Sequence, residues 1–309
     1  MAHKGYKLHE GVKTAGTALR RAASLGVLAA ENAACIEREE RDAILVMSFG
    51  TTFKETRKKT IDAVTEEVQH TYPAVKVVFA FTSHIVIERV KKNEGVRYPT
   101  PEEALQRLKE EGCTRVALVS LDIIPGIEYA YKREVFDECK PWFQRMTLGT
   151  PLVYWQGQEE KRDDVAEVMA AVAKELPARA EDEAVLLMAH GTPHPANAYY
   201  AVMQERLENL GEERVCIYTV EGRPNLDDVV PKLKEAGIRK VTLAPLMLVA
   251  GDHATNDMAG EEPDSHKSLL EREGFCVQTI LKGIGENAAV RKIFAARAAE
   301  AYEALLGKD

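Results

Sequence analysis

The chain has 309 residues, which suits two α/β domains of about 120–150 residues each better than one small core. Hydrophobic residues make up 45% and charged residues 29%, the balance of an ordinary globular protein, and no run of about 18 apolar residues is present to span a bilayer. The net charge of −8 argues against a general nucleic-acid binder, which needs a basic face against phosphate, but leaves room for an acidic small substrate in a locally positive cleft.

Residues 1–40 read as an N-terminal extension. Lys4, Lys7, Lys13, Arg20 and Arg21 stand against the single acid Glu10 in the first 30 positions, and a weak apolar stretch follows at Leu25–Ala30. An export signal needs a clearer apolar region, so the expectation is an amphipathic helical extension on a cytoplasmic protein. A processed signal and a periplasmic location are the alternative.

From position 41 the pattern changes. Ala43-Ile44-Leu45-Val46-Met47-Ser48-Phe49-Gly50-Thr51 reads as a buried strand ending in a tight turn, and Ala184-Val185-Leu186-Leu187-Met188-Ala189-His190-Gly191-Thr192 repeats it 141 positions later. A helical stretch follows each, at Glu55–Gln69 and Ala196–Leu210, and then a second strand, at Lys76–Phe81 and Arg214–Val220. A third pair of strands falls at Cys113–Leu121 and Ile238–Leu246. Continuous apolar strands alternating with helices mark parallel sheets covered on both faces. The expected fold is therefore α/β, with two similar Rossmann-like domains at about 41–150 and 180–290. A C-terminal helix over 291–309 packs back on the body. Ligands in such folds bind beyond the carboxyl ends of the strands, here in the cleft between the halves.

The second half carries metal-capable groups at three strand ends: His190 after the first, Glu221 after the second and His253 after the third. The first-half counterparts are Phe49, a position near Thr82, and Glu128. Two imidazoles and a carboxylate suit a borderline divalent ion such as Co²⁺, Fe²⁺, Ni²⁺ or Zn²⁺, and three protein ligands leave positions open for transfer. Spacings of 31 and 32 residues carry no local signature, so the three converge only if the fold joins adjacent strand ends. Each has an ordinary reading too. His190 can cap the following helix, Glu221 can neutralise Arg223, and His253 can be a loop residue held by side-chain hydrogen bonds. Their shared placement at one end of one sheet favours a site.

Other candidates are weaker. His194, between two prolines, can line the cleft; His84 follows the second strand of the first half; His3, His9, His70 and His266 look peripheral. Five scattered cysteines, odd in number and with no C-x-x-C pair, argue against a disulfide framework and a structural zinc site, and Cys216 reads as core. No P-loop, dinucleotide fingerprint or G-x-S-x-G elbow is present.

The motifs Met47-Ser48-Phe49-Gly50-Thr51-Thr52, Ala189-His190-Gly191-Thr192, Thr219-Val220-Glu221-Gly222 and, most specifically, Gly251-Asp252-His253-Ala254-Thr255-Asn256-Asp257-Met258-Ala259-Gly260 resemble the CbiK-type anaerobic sirohydrochlorin cobaltochelatases. The resemblance spans roughly residues 42–305. It implies the chelatase fold and insertion of Co²⁺, as substrate metal and without ATP, into sirohydrochlorin or precorrin-2 on the oxygen-independent route to cobalamin. It implies that His190 and His253 bind the incoming metal with Glu221, and that Glu128 is a pocket acid on the opposing domain.

On this reading the macrocycle loses two N–H protons as the ion loses its water. One histidine, His190 by preference, accepts a pyrrole proton, and Glu128 assists from the other side. The histidines must be neutral to bind metal, so activity should decline on acidification. Lys54, Arg57 and Arg223 are candidates to orient the substrate carboxylates, and Phe49, Tyr129 and Tyr199 to pack on the ring. The alternatives are insertion of Fe²⁺ or Ni²⁺ into the same ring, or a bilobal metal- or tetrapyrrole-binding transport protein. A homo-oligomer is compatible with all of these.

Overall fold

The computed structural model describes residues 8–9, 11–35 and 39–307. Parts of the N-terminal extension, among them Lys4, Lys7, Glu10 and His3, lie outside the described residues, as do positions 308–309 at the C-terminus. Among the described residues nine strands form two sheets: β1 (Leu28–Glu31), β2 (Asp42–Ser48), β3 (Lys76–Phe81), β4 (Arg115–Ser120) and β5 (Arg145–Leu148) in the first, and β6 (Glu183–Ala189), β7 (Val215–Thr219), β8 (Lys240–Pro245) and β9 (Cys276–Thr279) in the second. The first sheet runs β1-β5-β4-β2-β3 and the second β7-β6-β8-β9. Read from β3 and from β7, four parallel strands follow the same order, so the sequence repeat is a repeat of topology.

The strands are buried on both faces, and residue parity decides which core each side chain enters. Along β2, Ile44 and Val46 face one cluster while Ala43, Leu45 and Met47 face another. Along β6, Val185, Leu187 and Ala189 join the cluster of Ile44 and Val46, while Ala184, Leu186 and Met188 face a third. One core is therefore shared by the two halves, and each sheet has a private core on its far side.

The helix Ala288–Leu305 leaves the second half and packs on β4, β5 and the Ala63–Thr71 helix of the first. Val290, Phe294, Ala298, Ala301 and Leu305, at helical spacing, bury its inner face. Its charged anchor is Arg297, which is 2% exposed and donates to Asp164, Glu167 and Glu300. Asp164 begins the Asp164–Ala173 helix, which packs on the Tyr199–Asn209 and Ala288–Leu305 helices. The stretch between the two expected domains is thus an ordered crossing tied to the C-terminal helix.

The extension departs from the helical expectation. Thr17–Ala22 forms one short helix with no buried residue, while Leu28–Glu31 pairs antiparallel with β5 as an edge strand. The apolar stretch at Leu25–Ala30 supplies that strand, whose burial alternates with residue parity. Backbone pairing to β5, a contact distant in sequence, outweighs the helical tendency of the alanines.

Candidate metal centre

The centre is built at the carboxyl edge of β6, β7 and β8. The β6–β7 ladder continues past both strands: the Val220 N–H donates to the Ala189 carbonyl at 3.1 Å and the Glu221 N–H to the His190 carbonyl at 2.8 Å. Those two bonds set His190 and Glu221 side by side. In the first half, the Thr82 N–H donates to the Ser48 carbonyl and the Ser83 N–H to that of Phe49. Ser83, one residue beyond the expected position, is therefore the counterpart of Glu221, and Phe49 that of His190.

Glycine permits this turn in both halves. Gly50 and Gly191 have φ of +93° and +83°. A Cβ on Gly50 would lie 2.7 Å from the Phe81 ring, and one on Gly191 would lie 2.6 Å from the Gly222 nitrogen and 2.9 Å from Thr219 Cβ. The first turn lies close under β3 and the second under the loop that presents Glu221.

His253 arrives from the loop after β8, at the start of the π-helical stretch His253–Met258. Ala254 and Met258 are fully buried in the private core of the second sheet, which anchors the stretch. π-Helical turns recur at functional sites. One ligand atom from each of His190, Glu221 and His253 lies within 4.8 Å of the others. The imidazoles meet edge-on, with ring centroids 4.8 Å apart at 85°.

Both imidazoles have one nitrogen engaged. His190 Nδ1 lies 3.0 Å from the Gly191 carbonyl, which only accepts, so a neutral ring carries its proton on Nδ1 there. His253 Nδ1 lies 2.5 Å from Asp257 Oδ2, which imposes the same tautomer. In each case Nε2 keeps the free lone pair that a divalent ion requires. His190 Nδ1 also lies 3.9 Å from Glu221 Oε2. The three side chains are partly exposed, His253 least, as an ion arriving from solution requires.

The remaining candidates separate. Glu128 sits in the first turn of the Ile127–Cys139 helix, half-buried, where Oε2 accepts the Thr82 hydroxyl at 2.8 Å. It stands at the carboxyl edge of the first sheet, outside the His190–Glu221–His253 group. Phe49 and Ile127 are exposed at that same edge. His194 is spent on local structure: its Nδ1 accepts the Ala196 N–H and caps a short 3₁₀ turn. His84 is exposed at the start of the His84–Glu94 helix.

Three expectations need correction. Arg57 is 3% exposed and held by both oxygens of Glu94, so it is not free to orient a substrate. Tyr129 is 4% exposed with its hydroxyl on the Gly149 carbonyl, so its ring is core and does not face the cleft. His266 is not peripheral: burial lowers its affinity for a proton, and its Nδ1 lies 2.9 Å from the hydroxyl of fully buried Tyr218. Lys54 is exposed; Arg223 is exposed and paired with Asp228 rather than Glu221; Tyr199 is half-buried with its hydroxyl on the Tyr154 carbonyl. Burial raises the Cys216 thiol above its ordinary range, consistent with a core cysteine.

Two like α/β halves, with two imidazoles and a carboxylate converging at the edge of one of them, define a chelatase-type protein. Residues 42–303 match the model of the cobalt chelatase family CbiK. The chain is 36% identical over 256 residues to the sirohydrochlorin cobaltochelatase of Salmonella typhimurium, covering 83% of this chain and 94% of that protein. It is also 36% identical over 253 residues to the sirohydrochlorin cobaltochelatase CbiKC of Nitratidesulfovibrio vulgaris, covering 80% and 85%. The chain belongs to the CbiK cobalt chelatase family. Among solved structures it is similar to SirB from Bacillus subtilis with Fe³⁺, with a TM-score of 0.60, 18% identity, and coverage of 87% of this chain and 98% of that one. A multi-domain chelatase-like protein of Deinococcus radiodurans gives a TM-score of 0.53 at 16% identity, with 85% of this chain matching 56% of that one. Both likenesses show the fold.

Proposed function

We propose that this protein inserts Co²⁺ into sirohydrochlorin, or its precorrin-2 relative, without ATP. The observation that carries the proposal is the convergence of His190, Glu221 and His253, with both Nδ1 atoms engaged and both Nε2 lone pairs free. Family membership narrows an unspecified metal site to cobalt, the metal named for the family and for two relatives that match most of this chain.

His190 and His253 take the ion through Nε2, and Glu221 supplies an anionic oxygen. Three protein ligands hold the ion while leaving positions for water, and then for pyrrole nitrogens. The macrocycle lies in the cleft between the two strand edges, with the metal on the second-half side and Glu128 on the first-half side. As a pyrrole nitrogen binds, its N–H proton passes to a base. His190, whose Nδ1 hydrogen-bonds a neutral carbonyl, is suited to release the metal and accept that proton. Glu128, oriented by Thr82, accepts the second N–H proton at the opposite face, and both protons then pass to solvent. In this reading exposed Lys54 and Arg223, the latter drawn from Asp228, meet the substrate carboxylates, and exposed Phe49 meets the ring.

Donor type alone does not select among Co²⁺, Fe²⁺ and Ni²⁺. Parallel insertion assays with the three metals, read by the absorbance change of sirohydrochlorin, should give the highest kcat/KM with Co²⁺. A higher value with Fe²⁺ or Ni²⁺ would reassign the substrate metal.

A further inference from the structure

Asp257 lies four residues beyond His253 on the same π-helical stretch, and the 2.5 Å contact joins the two side chains. Ala254 and Met258, fully buried between and beyond them, fix the backbone, so the pair is presented by a rigid segment rather than a mobile loop. Nearby, half-buried His266 is tied to the hydroxyl of Tyr218. His190, by contrast, has the neutral carbonyl of its own neighbour on Nδ1 at 3.0 Å, with Glu221 Oε2 farther off at 3.9 Å. The two imidazoles are chemically alike and held differently.

We propose that Asp257 is a positioning residue for metal delivery, accepting the His253 Nδ1–H so that Nε2 faces the ion and is made the stronger donor of the two histidines. This rests on the metal-site reading above and adds an order to it. His253 is the anchor that captures and keeps the ion. His190 is the ligand that lets go first as the ring takes over. A carboxylate on the far nitrogen of a ligating histidine fixes the tautomer and raises ligand basicity, and its loss ordinarily costs 10–100-fold in metal affinity or activity. The competing account is an exposed His–Asp pair one helical turn apart, which contributes little to stability and nothing to metal binding.

The test is titration of Co²⁺ alone into the full-length metal-free protein, followed by the ligand-field absorption of the bound ion. Steady-state insertion kinetics and a thermal melt accompany it for Asp257→Ala, Asp257→Asn and His253→Ala. Asp257→Ala should weaken Co²⁺ binding about 10–100-fold and raise the Co²⁺ KM in step, with the sirohydrochlorin KM and the melt unchanged. Asp257→Asn, whose amide oxygen still accepts the Nδ1–H but carries no charge, should fall between that variant and the wild type. Wild-type Co²⁺ affinity in Asp257→Ala, alongside loss in His253→Ala, would overturn the role of Asp257 and leave the site standing. Wild-type affinity in His253→Ala would overturn both. A lowered melt that accounts for the loss, with Asp257→Asn no better than Asp257→Ala, would assign Asp257 to structure alone.

Discussion

Substitution of Gly191 by alanine should damage the metal centre through the backbone, although Gly191 contributes no side chain to it. Two costs are separable. A φ of +83° strains any residue with a Cβ, by about 1–2 kcal/mol. The new Cβ would also sit 2.6 Å from the Gly222 nitrogen and 2.9 Å from the Glu221 carbonyl carbon, and overpacking of that kind costs about 1–3 kcal/mol more. Gly211, with φ of +80° and nothing within 4 Å of an added Cβ, supplies the control. Gly211→Ala should therefore lose only the strain, and Gly191→Ala roughly 2–5 kcal/mol in all. Relief of the clash requires the Gly191 turn to part from the 219–222 loop, which breaks the bond from the Glu221 N–H to the His190 carbonyl. Urea unfolding gives the stabilities, and Co²⁺ titration of both variants gives the site. Equal loss of stability in the two, with wild-type Co²⁺ affinity in Gly191→Ala, would refute this reasoning.

Other predictions concern the frame and the chemistry. Arg297→Ala removes a buried guanidinium from Asp164, which is 0% exposed, and should cost about 3–5 kcal/mol in denaturant unfolding; a loss under about 1 kcal/mol would show the cluster to be dispensable. Burial alone would raise the Glu300 carboxyl, but Arg162 and Arg297 outweigh it and hold the group below the ordinary carboxylate range. Its stabilising contribution is accordingly complete above the unfolded-state value and lost as the pH falls below it, so acid should loosen the C-terminal helix; Glu300→Gln should flatten that limb of the stability–pH curve. Glu128→Gln should lower kcat by about 100-fold, the lower range for general acid–base assistance, while Co²⁺ binding stays intact; unchanged kcat would remove Glu128 from the mechanism.

Much of the fold was legible because parallel strands buried on both faces leave continuous apolar runs, and because the chain states its plan twice. The convergence of His190, Glu221 and His253 was legible through that repeat and through the family resemblance, since their spacing has no local period. What escaped depends on contacts distant in sequence. The pairing of Leu28–Glu31 with β5 joins Leu28 to Leu148, and no pattern in a four-residue stretch announces such a partner. Arg57 looks like a strand-end cation until Glu94, at the end of the next helix but one, captures it. Tyr129 falls near a strand end by position, yet its helix turns the ring inward. Asp257 offered a readable signal, an acid four residues after a candidate ligand in a helical stretch. His266 offered none, because it begins a helix and its partner Tyr218 lies on β7, 48 residues earlier.

The central claim is that the His190–Glu221–His253 group transfers metal rather than storing it. A multiple-turnover assay with free Co²⁺, excess sirohydrochlorin and no ATP tests this most directly. Wild-type protein should form many equivalents of cobalt–sirohydrochlorin per chain, and a folded His190→Ala/His253→Ala double variant should form none above the uncatalysed rate. Product that stops at one equivalent per chain, or wild-type turnover in the double variant, would contradict the account.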